Sequence, residues 1–172
     1  MDAQPLIFLD VDGPLIPFGG QADEYPARLT ERQIIAAVGV ASPLLSRLDP
    51  ANGPRLAALP GRLVWATTWM ADANACVAPL LGLPPLPVID WPDPTEDEIR
   101  DVEAGLHWKT RPLVTWAAGQ PFAWVDDEIT PADRSWVAAH HPAPALLRRV
   151  DPRTGLTDDD FAALDSWLRA QV

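Results

Sequence analysis

The chain has 172 residues, 48% of them hydrophobic, which suits one domain with a substantial core and excludes wholesale disorder. Its 24 acidic against 13 basic residues give a formal net charge of −11, a sign that disfavours nonspecific adhesion to nucleic acid or anionic lipid. No apolar run approaches the ~20 residues that span a bilayer. Met1-Asp2-Ala3-Gln4 lacks the basic start of a secretion signal, and Cys76, the single cysteine, allows no internal disulfide. The expectation is a cytoplasmic domain over 1–172 without membrane contact.

In chain order, Pro5-Leu6-Ile7-Phe8-Leu9 is an apolar run ending at Asp10, as expected of a strand buried on both faces. Residues 13 to about 40 read as a loop or flap, rich in proline and glycine at its start, and Ile34 to Leu48 fits strand and helix equally. Asn52 to Leu59 reads as a short helix, then Arg62 to Thr67 as a second strand. Ala71 to Leu81 reads as a helix closed by Gly82, and Leu86 to Asp90 as a third strand. The acidic stretch Trp91 to Gly105 reads as a solvated loop or short helix. Trp108 to Ala118 is a helix ending at Gly119, Phe122 to Asp126 the clearest strand, and Pro131 to His140 a helix with proline at its first position. Leu146 to Val150 is a weaker strand. Thr157 to Ala170 is a helix with Thr157 as N-cap and three aspartates in its first turn. Alternating strands and helices predict a three-layer, Rossmann-like α/β fold: a parallel sheet with helices on both faces. Strands ending at Asp10, Thr67, Asp90 and Asp126 put acids and hydroxyls at the carboxyl edge, where open α/β sheets bind ligands.

Four elements carry chemistry. Asp10-Val11-Asp12-Gly13 follows a strand, so one carboxylate can act as nucleophile or metal ligand and the second as acid and base, with Gly13 permitting a sharp turn. A calcium loop is excluded, because the required further acids do not follow. Thr67, with Thr68 one register away, offers a hydroxyl for a phosphate oxygen. Lys109 is the only lysine in the chain and sits at a helix start, against the helix dipole preference, as suits an ammonium that serves a site. Asp126-Asp127-Glu128 sets three acids in a row, a repulsion that a divalent cation relieves.

In this order the four elements resemble the haloacid dehalogenase-like (HAD) superfamily over residues 8 to 128. Leu63-Val64-Trp65-Ala66-Thr67-Thr68-Trp69, Ala73-Asn74, Phe122 to Glu128 and Gly155-Leu156-Thr157 resemble a small bacterial HAD group associated with RNA repair proteins. The resemblance implies a Mg2+-dependent phosphatase acting through an aspartyl-phosphate on Asp10. Asp12 would be the acid and base, and Thr67 and Lys109 would hold the phosphoryl group. Mg2+ would be held by Asp10, the Asp12 main-chain carbonyl, and Asp126 or Asp127. Short intervals between these motifs leave minimal or no room for a cap domain, and an open site suits a large substrate such as an RNA or DNA end.

Thr68, Trp69, Asn74 and His107 are candidate substrate contacts, and Trp69, Trp91 and Trp108 could stack on a nucleobase. An RNA end would need Arg28, Arg111, Arg148 and Arg149 to form a local basic patch. The competing readings are a catalytically silent binding or regulatory module on the same fold, and a phosphatase of small nucleotides or sugar phosphates. No obligate protein partner is inferred.

Overall fold

The computed structural model describes residues 4–172; Met1 to Ala3, part of the stretch read as lacking a secretion signal, lie outside them. A parallel four-stranded sheet, in spatial order β2-β1-β3-β4, is formed by β1 (Leu6–Leu9), β2 (Arg62–Trp65), β3 (Phe122–Asp126) and β4 (Ala145–Arg149). The expected α/β architecture is therefore present, with no cap domain among the described residues.

Strand pleating divides the core in two. Ile7, Leu9, Trp65 and Val125 face one layer, where they meet α2 (Asn52–Ala57), α3 (Ala78–Leu81) and α7 (Asp158–Arg169). Phe8, Val64, Phe122 and Trp124 face the other, with α5 (Thr110–Ala117) and α6 (Pro131–His140). Trp65 and Trp124 are fully buried, as strand tryptophans of a two-sided core should be.

Four helices begin where threonine caps them. Thr30, Thr95, Thr130 and Thr157 each accept from a backbone N–H three residues on, and the side chain at that third position returns the bond. Thr30 starts α1 (Glu31–Val38), which takes in only the first part of the ambiguous 34–48 stretch and ends at Gly39 with φ 79°; the rest is irregular apart from a 3-10 turn at Leu45–Arg47. Thr95 starts α4 (Glu96–Glu103) within the acidic segment read as loop or short helix. Residues 13–40, read as a flap, add Leu15, Ile16, Leu29 and Ile34 to the core, while nothing between Pro17 and Arg28 is buried.

Two expectations need correction. Leu86 to Asp90 is not a strand: it meets the sheet through one bridge, Trp65 to Val88, flanked by Trp65 N–H donating to Pro87 O (2.8 Å) and Ile89 N–H to Trp65 O (3.0 Å). Proline at 84, 85 and 87 removes the donors a longer ladder needs. Asp90 is accordingly exposed and not at a strand end. Residues 71–81 are not one regular helix either; a wider, π-helical turn (Ala73–Val77) precedes α3, where Pro79 cannot donate to the turn before it.

At the start of α7, Asp160 accepts from Thr157 and from Arg148 Nε at 2.7 Å, tying the helix to β4. Burial alone would raise the Asp160 pKa, but the Thr157 hydrogen bonds and the Arg148 guanidinium outweigh it and hold the carboxyl below its usual range. A depressed folded value contributes stability that is present above the unfolded pKa, near ~3.9, and lost as pH falls through the folded one. Thr157→Ala is expected to cost about 1 kcal/mol in urea denaturation at pH 7. The advantage of the native chain over Asp160→Asn should shrink as pH falls below ~4. An advantage independent of pH would exclude this ionic contribution.

Candidate active site

Register brings the site together. Leu9 lies opposite Trp65 on one side and Val125 on the other. Asp10 N–H then donates to Val125 O (3.0 Å) and Ala66 N–H to Leu9 O (2.9 Å). Asp10, Thr67 and Asp126 thus leave the sheet at one edge. The chain runs from β1 to β2 on one side and returns to β3 on the other, so Asp10 and Asp126 flank the switch point of the sheet. By the alternation of the pleat, Asp10 continues the Phe8 face and Asp126 the Trp124 face, both toward α5.

Lys109, the residue before α5, meets them. Its Nζ donates to Asp10 Oδ2 at 2.7 Å and to Asp126 Oδ2 at 2.8 Å, and the side chain is 2% exposed. The backbone here is fixed by neighbours. Lys109 N–H donates to His107 Nδ1 at 3.1 Å, which leaves the other ring nitrogen of His107 as donor to Glu128 Oε2 at 3.0 Å. Asp133, fully buried at the start of α6, accepts from His107 N–H and Thr110 Oγ1 through one oxygen, and from Thr130 through the other. One carboxylate therefore caps α6 and clamps the segment that presents the ammonium. Asp133 was not among the residues singled out from sequence; the Thr130-x-x-Asp133 capping pattern is the signal that could have found it.

Asp126 is heavily engaged: Oδ2 accepts from Lys109 and from Trp124 Nε1 (3.2 Å), and Oδ1 from Glu128 N–H (2.9 Å). Asp127 is buried beside it, against the turn after β1. A Cβ built at Gly13, whose φ is 85°, would lie 2.7 Å from the Asp127 carboxyl, so glycine is required there by both backbone and space. Oxygens of Asp10, Asp126 and Asp127 come within 4.8 Å of one another. Burial, with Asp126 nearby, lifts Asp10 to about 7 despite the opposing pull of Lys109, and burial with Asp126 and Glu128 lifts Asp127 to about 6. Lys109 is held in its charged form: burial would lower its pKa, but the two carboxylates overcome that and raise it. One ammonium faces several carboxylates, and this all-oxygen donor set fits a hard divalent cation such as Mg2+.

The remaining candidates separate by what their polar atoms do. Thr67 is fully buried; its Oγ1 accepts from Trp69 N–H (3.3 Å) and its carbonyl from Trp91 Nε1 (3.0 Å). Thr68 is exposed beside it. Trp69 Nε1 donates to Asp12 Oδ2 at 3.0 Å. Asn74 spends its amide away from the carboxylates: Oδ1 accepts from Trp65 Nε1 and Leu86 N–H, and Nδ2 donates to Leu86 O, so it pins the 86–89 segment to β2. Of the four arginines considered for a basic patch, Arg28, Arg111 and Arg148 each pair with a carboxylate, and Arg149 Nε donates to Asp127 O at 2.9 Å. An apolar cavity of about 380 Å3 lies between α4 and the edge-to-face pair Trp91 and Trp108.

Comparison with protein families matches residues 6–161 to a family described as the HAD domain in Swiss Army Knife RNA repair proteins. Neither the curated proteins nor the solved structures give a match.

Removing the ammonium leaves Asp10 and Asp126 buried and facing each other. Lys109→Met is expected to destabilise the fold by about 3–5 kcal/mol, the scale of a broken buried pair, measured by urea denaturation without added metal. Asp10→Asn keeps the Lys109–Asp126 pair and should be as stable as the native chain or more so. Equal stability of all three would show that the bridge contributes nothing to folding.

Proposed function

The chain belongs to the family of HAD domains found in Swiss Army Knife RNA repair proteins, and from that membership and the buried site we propose that it is a Mg2+-dependent phosphatase acting through an aspartyl-phosphate. The observation that carries this reading is the Lys109 ammonium held between Asp10 and Asp126 beside Asp127, in a site with more anionic than cationic groups.

Asp10 attacks the phosphorus of a monoester, and the leaving oxygen takes a proton from Asp12. Water then attacks the phospho-Asp10 intermediate, gives a proton to Asp12 and releases phosphate, returning the Asp10 carboxylate. Thr67 and Lys109 bind the transferring group. Lys109 also opposes the burial that raises the Asp10 pKa. Asp10, Asp127 and the Asp12 carbonyl would hold Mg2+, which supplies charge neutralisation at the phosphoryl oxygens. Asp127 is the better direct ligand of the acidic pair, because Asp126 is already committed to Lys109, Trp124 and Glu128.

For the substrate, the family points toward a phosphorylated RNA or DNA end. The cavity beside Trp91 and Trp108 supports that reading. Trp91 is bonded to the Thr67 carbonyl, and the Trp108 ring centre is 5.7 Å from Lys109 Nζ. A base resting on either indole would keep its phosphate near both residues. A catalytically silent module does not account for a buried ammonium flanked by two carboxylates as readily as a working site does.

Two assays test the proposal. With Mg2+ the protein should release phosphate from p-nitrophenyl phosphate; EDTA should abolish this, and Asp10→Asn should lower kcat by roughly a thousandfold or more, as loss of a nucleophile does. Retained turnover in that variant would overturn the nucleophile assignment, and no turnover of any ester by the folded native protein would favour the silent module. For the substrate class, Trp108→Ala should raise KM for a terminally phosphorylated oligonucleotide about tenfold, the low end of one lost base stack, while leaving KM for p-nitrophenyl phosphate near the native value. Equal effects on both would assign the cavity to folding alone.

A further inference from the structure

Trp69 touches two separate parts of the site. It lies two residues beyond Thr67 in the turn after β2, with its ring packed partly buried against the core on the α7 side of the sheet. Its backbone N–H donates to Thr67 Oγ1 at 3.3 Å, and its indole N–H donates to Asp12 Oδ2 at 3.0 Å, across 57 positions of sequence. The following residue, Met70, has φ 50°, an uncommon left-handed conformation for a non-glycine residue, so the turn that presents the indole is tightly defined.

We infer that Trp69 is the positioning residue of the reaction: it selects the oxygen of Asp12 that exchanges the proton and orients the Thr67 hydroxyl. This rests on the phosphatase reading above. Indole N–H is a donor only. With Oδ2 accepting from it, Oδ1 is the oxygen left to exchange the proton with the leaving group. In the first step the bond from Asp10 to phosphorus forms and the phosphorus–alcohol bond breaks. Its electron pair goes to the leaving oxygen, which takes the Oδ1 proton. In the second, water bonds to phosphorus, its proton goes to Oδ1, and the bond to Asp10 breaks with its electrons returning to the carboxylate. The same logic applies to Thr67. Because its oxygen accepts from the Trp69 backbone, its hydrogen is left to donate to a phosphoryl oxygen. Tryptophan suits the task because the long, rigid indole spans the gap while its body is anchored in the core.

Trp69→Phe keeps the apolar ring and deletes the N–H. The test compares this variant with the native protein by rapid-mixing measurement of leaving-group release from two esters, p-nitrophenyl phosphate and ethyl phosphate. Nitrophenolate departs without a proton, whereas ethoxide needs one, and proton donation is worth about a hundredfold or more. Release of ethanol should fall ten- to a hundredfold in the variant, release of nitrophenolate less than about threefold, with KM for both esters near native. Equal losses on the two esters would assign Trp69 to folding and overturn the inference while leaving the phosphatase reading intact; so would an unchanged ethanol rate. Turnover of neither ester by the native protein would overturn both. If Trp69→Phe does not fold, benzothienylalanine at position 69, which replaces the N–H by sulfur at nearly the same shape, is subject to the same expectations.

Discussion

Two carboxylates at the ends of adjacent parallel strands, Asp10 and Asp126, share one ammonium at 2.7 and 2.8 Å. In this dry environment none of the three charges is tolerable alone, since the desolvation of each costs several kcal/mol. Much of the local structure follows from this. The ammonium must arrive from α5, so α5 must start at one place. That start is set by His107 accepting from Lys109 N–H, and by Asp133 clamping the segment while capping α6. Trp124 and the Glu128 backbone then use further acceptor capacity of Asp126. Each contact removes a rotational freedom that the charged groups would otherwise retain, which is the preorganisation that phosphoryl transfer requires.

How far this was legible in the sequence depended on the range of the interactions. Apolar runs ending in polar residues announced β1, β2 and β3, because a strand buried on both faces has no other way to read. Lys109 stood out as the only lysine, set against the dipole preference of its helix, and a cation placed there needs a partner. What could not be read was that Asp10 and Asp126 would share the ammonium, because strand register alone puts them side by side. Leu86 to Asp90 misled because its apolar content is strand-like; the prolines that remove its donors carry the decisive information, and hydropathy does not register them. Asn74 reads from sequence as a candidate substrate contact; in the structure its amide serves the 86–89 segment. Asp133 was overlooked because a capping box looks like local helix chemistry, and only the fold shows that its second oxygen reaches back 26 residues to His107.

The tryptophans show the same division. Trp65 and Trp124 are buried ring surface first, yet each also spends its indole N–H, on Asn74 and on Asp126. Trp91 and Trp69 direct theirs to the Thr67 carbonyl and to Asp12. Three of the eight indoles therefore act as rigid donors to residues at the ligand edge. A donor on a packed ring holds its partner with less entropy to lose than a flexible amide or ammonium would have. In a chain with one lysine, and with three of the four arginines considered for a basic patch paired to carboxylates, two indoles supply neutral donors to the acids Asp12 and Asp126.

That economy of positive charge bears on what the site can accept. A protein of net charge −11 repels a phosphate monoester at long range, and the inner carboxylates repel it at short range. Lys109 offsets only part of this, because both its neighbours already draw on it. On the proposed reading, substrate and cation must therefore bind as favourable partners, each raising the affinity of the other by the same factor. The absence of a cap among the described residues sharpens the point. A lidded site can exclude water and strengthen its field by closure, whereas an open one has to obtain the same local field from fixed groups. Here those groups are the buried ammonium, the cation that the oxygens of Asp10 and Asp127 can accommodate, and a ring of indole and backbone donors set in place before the substrate arrives.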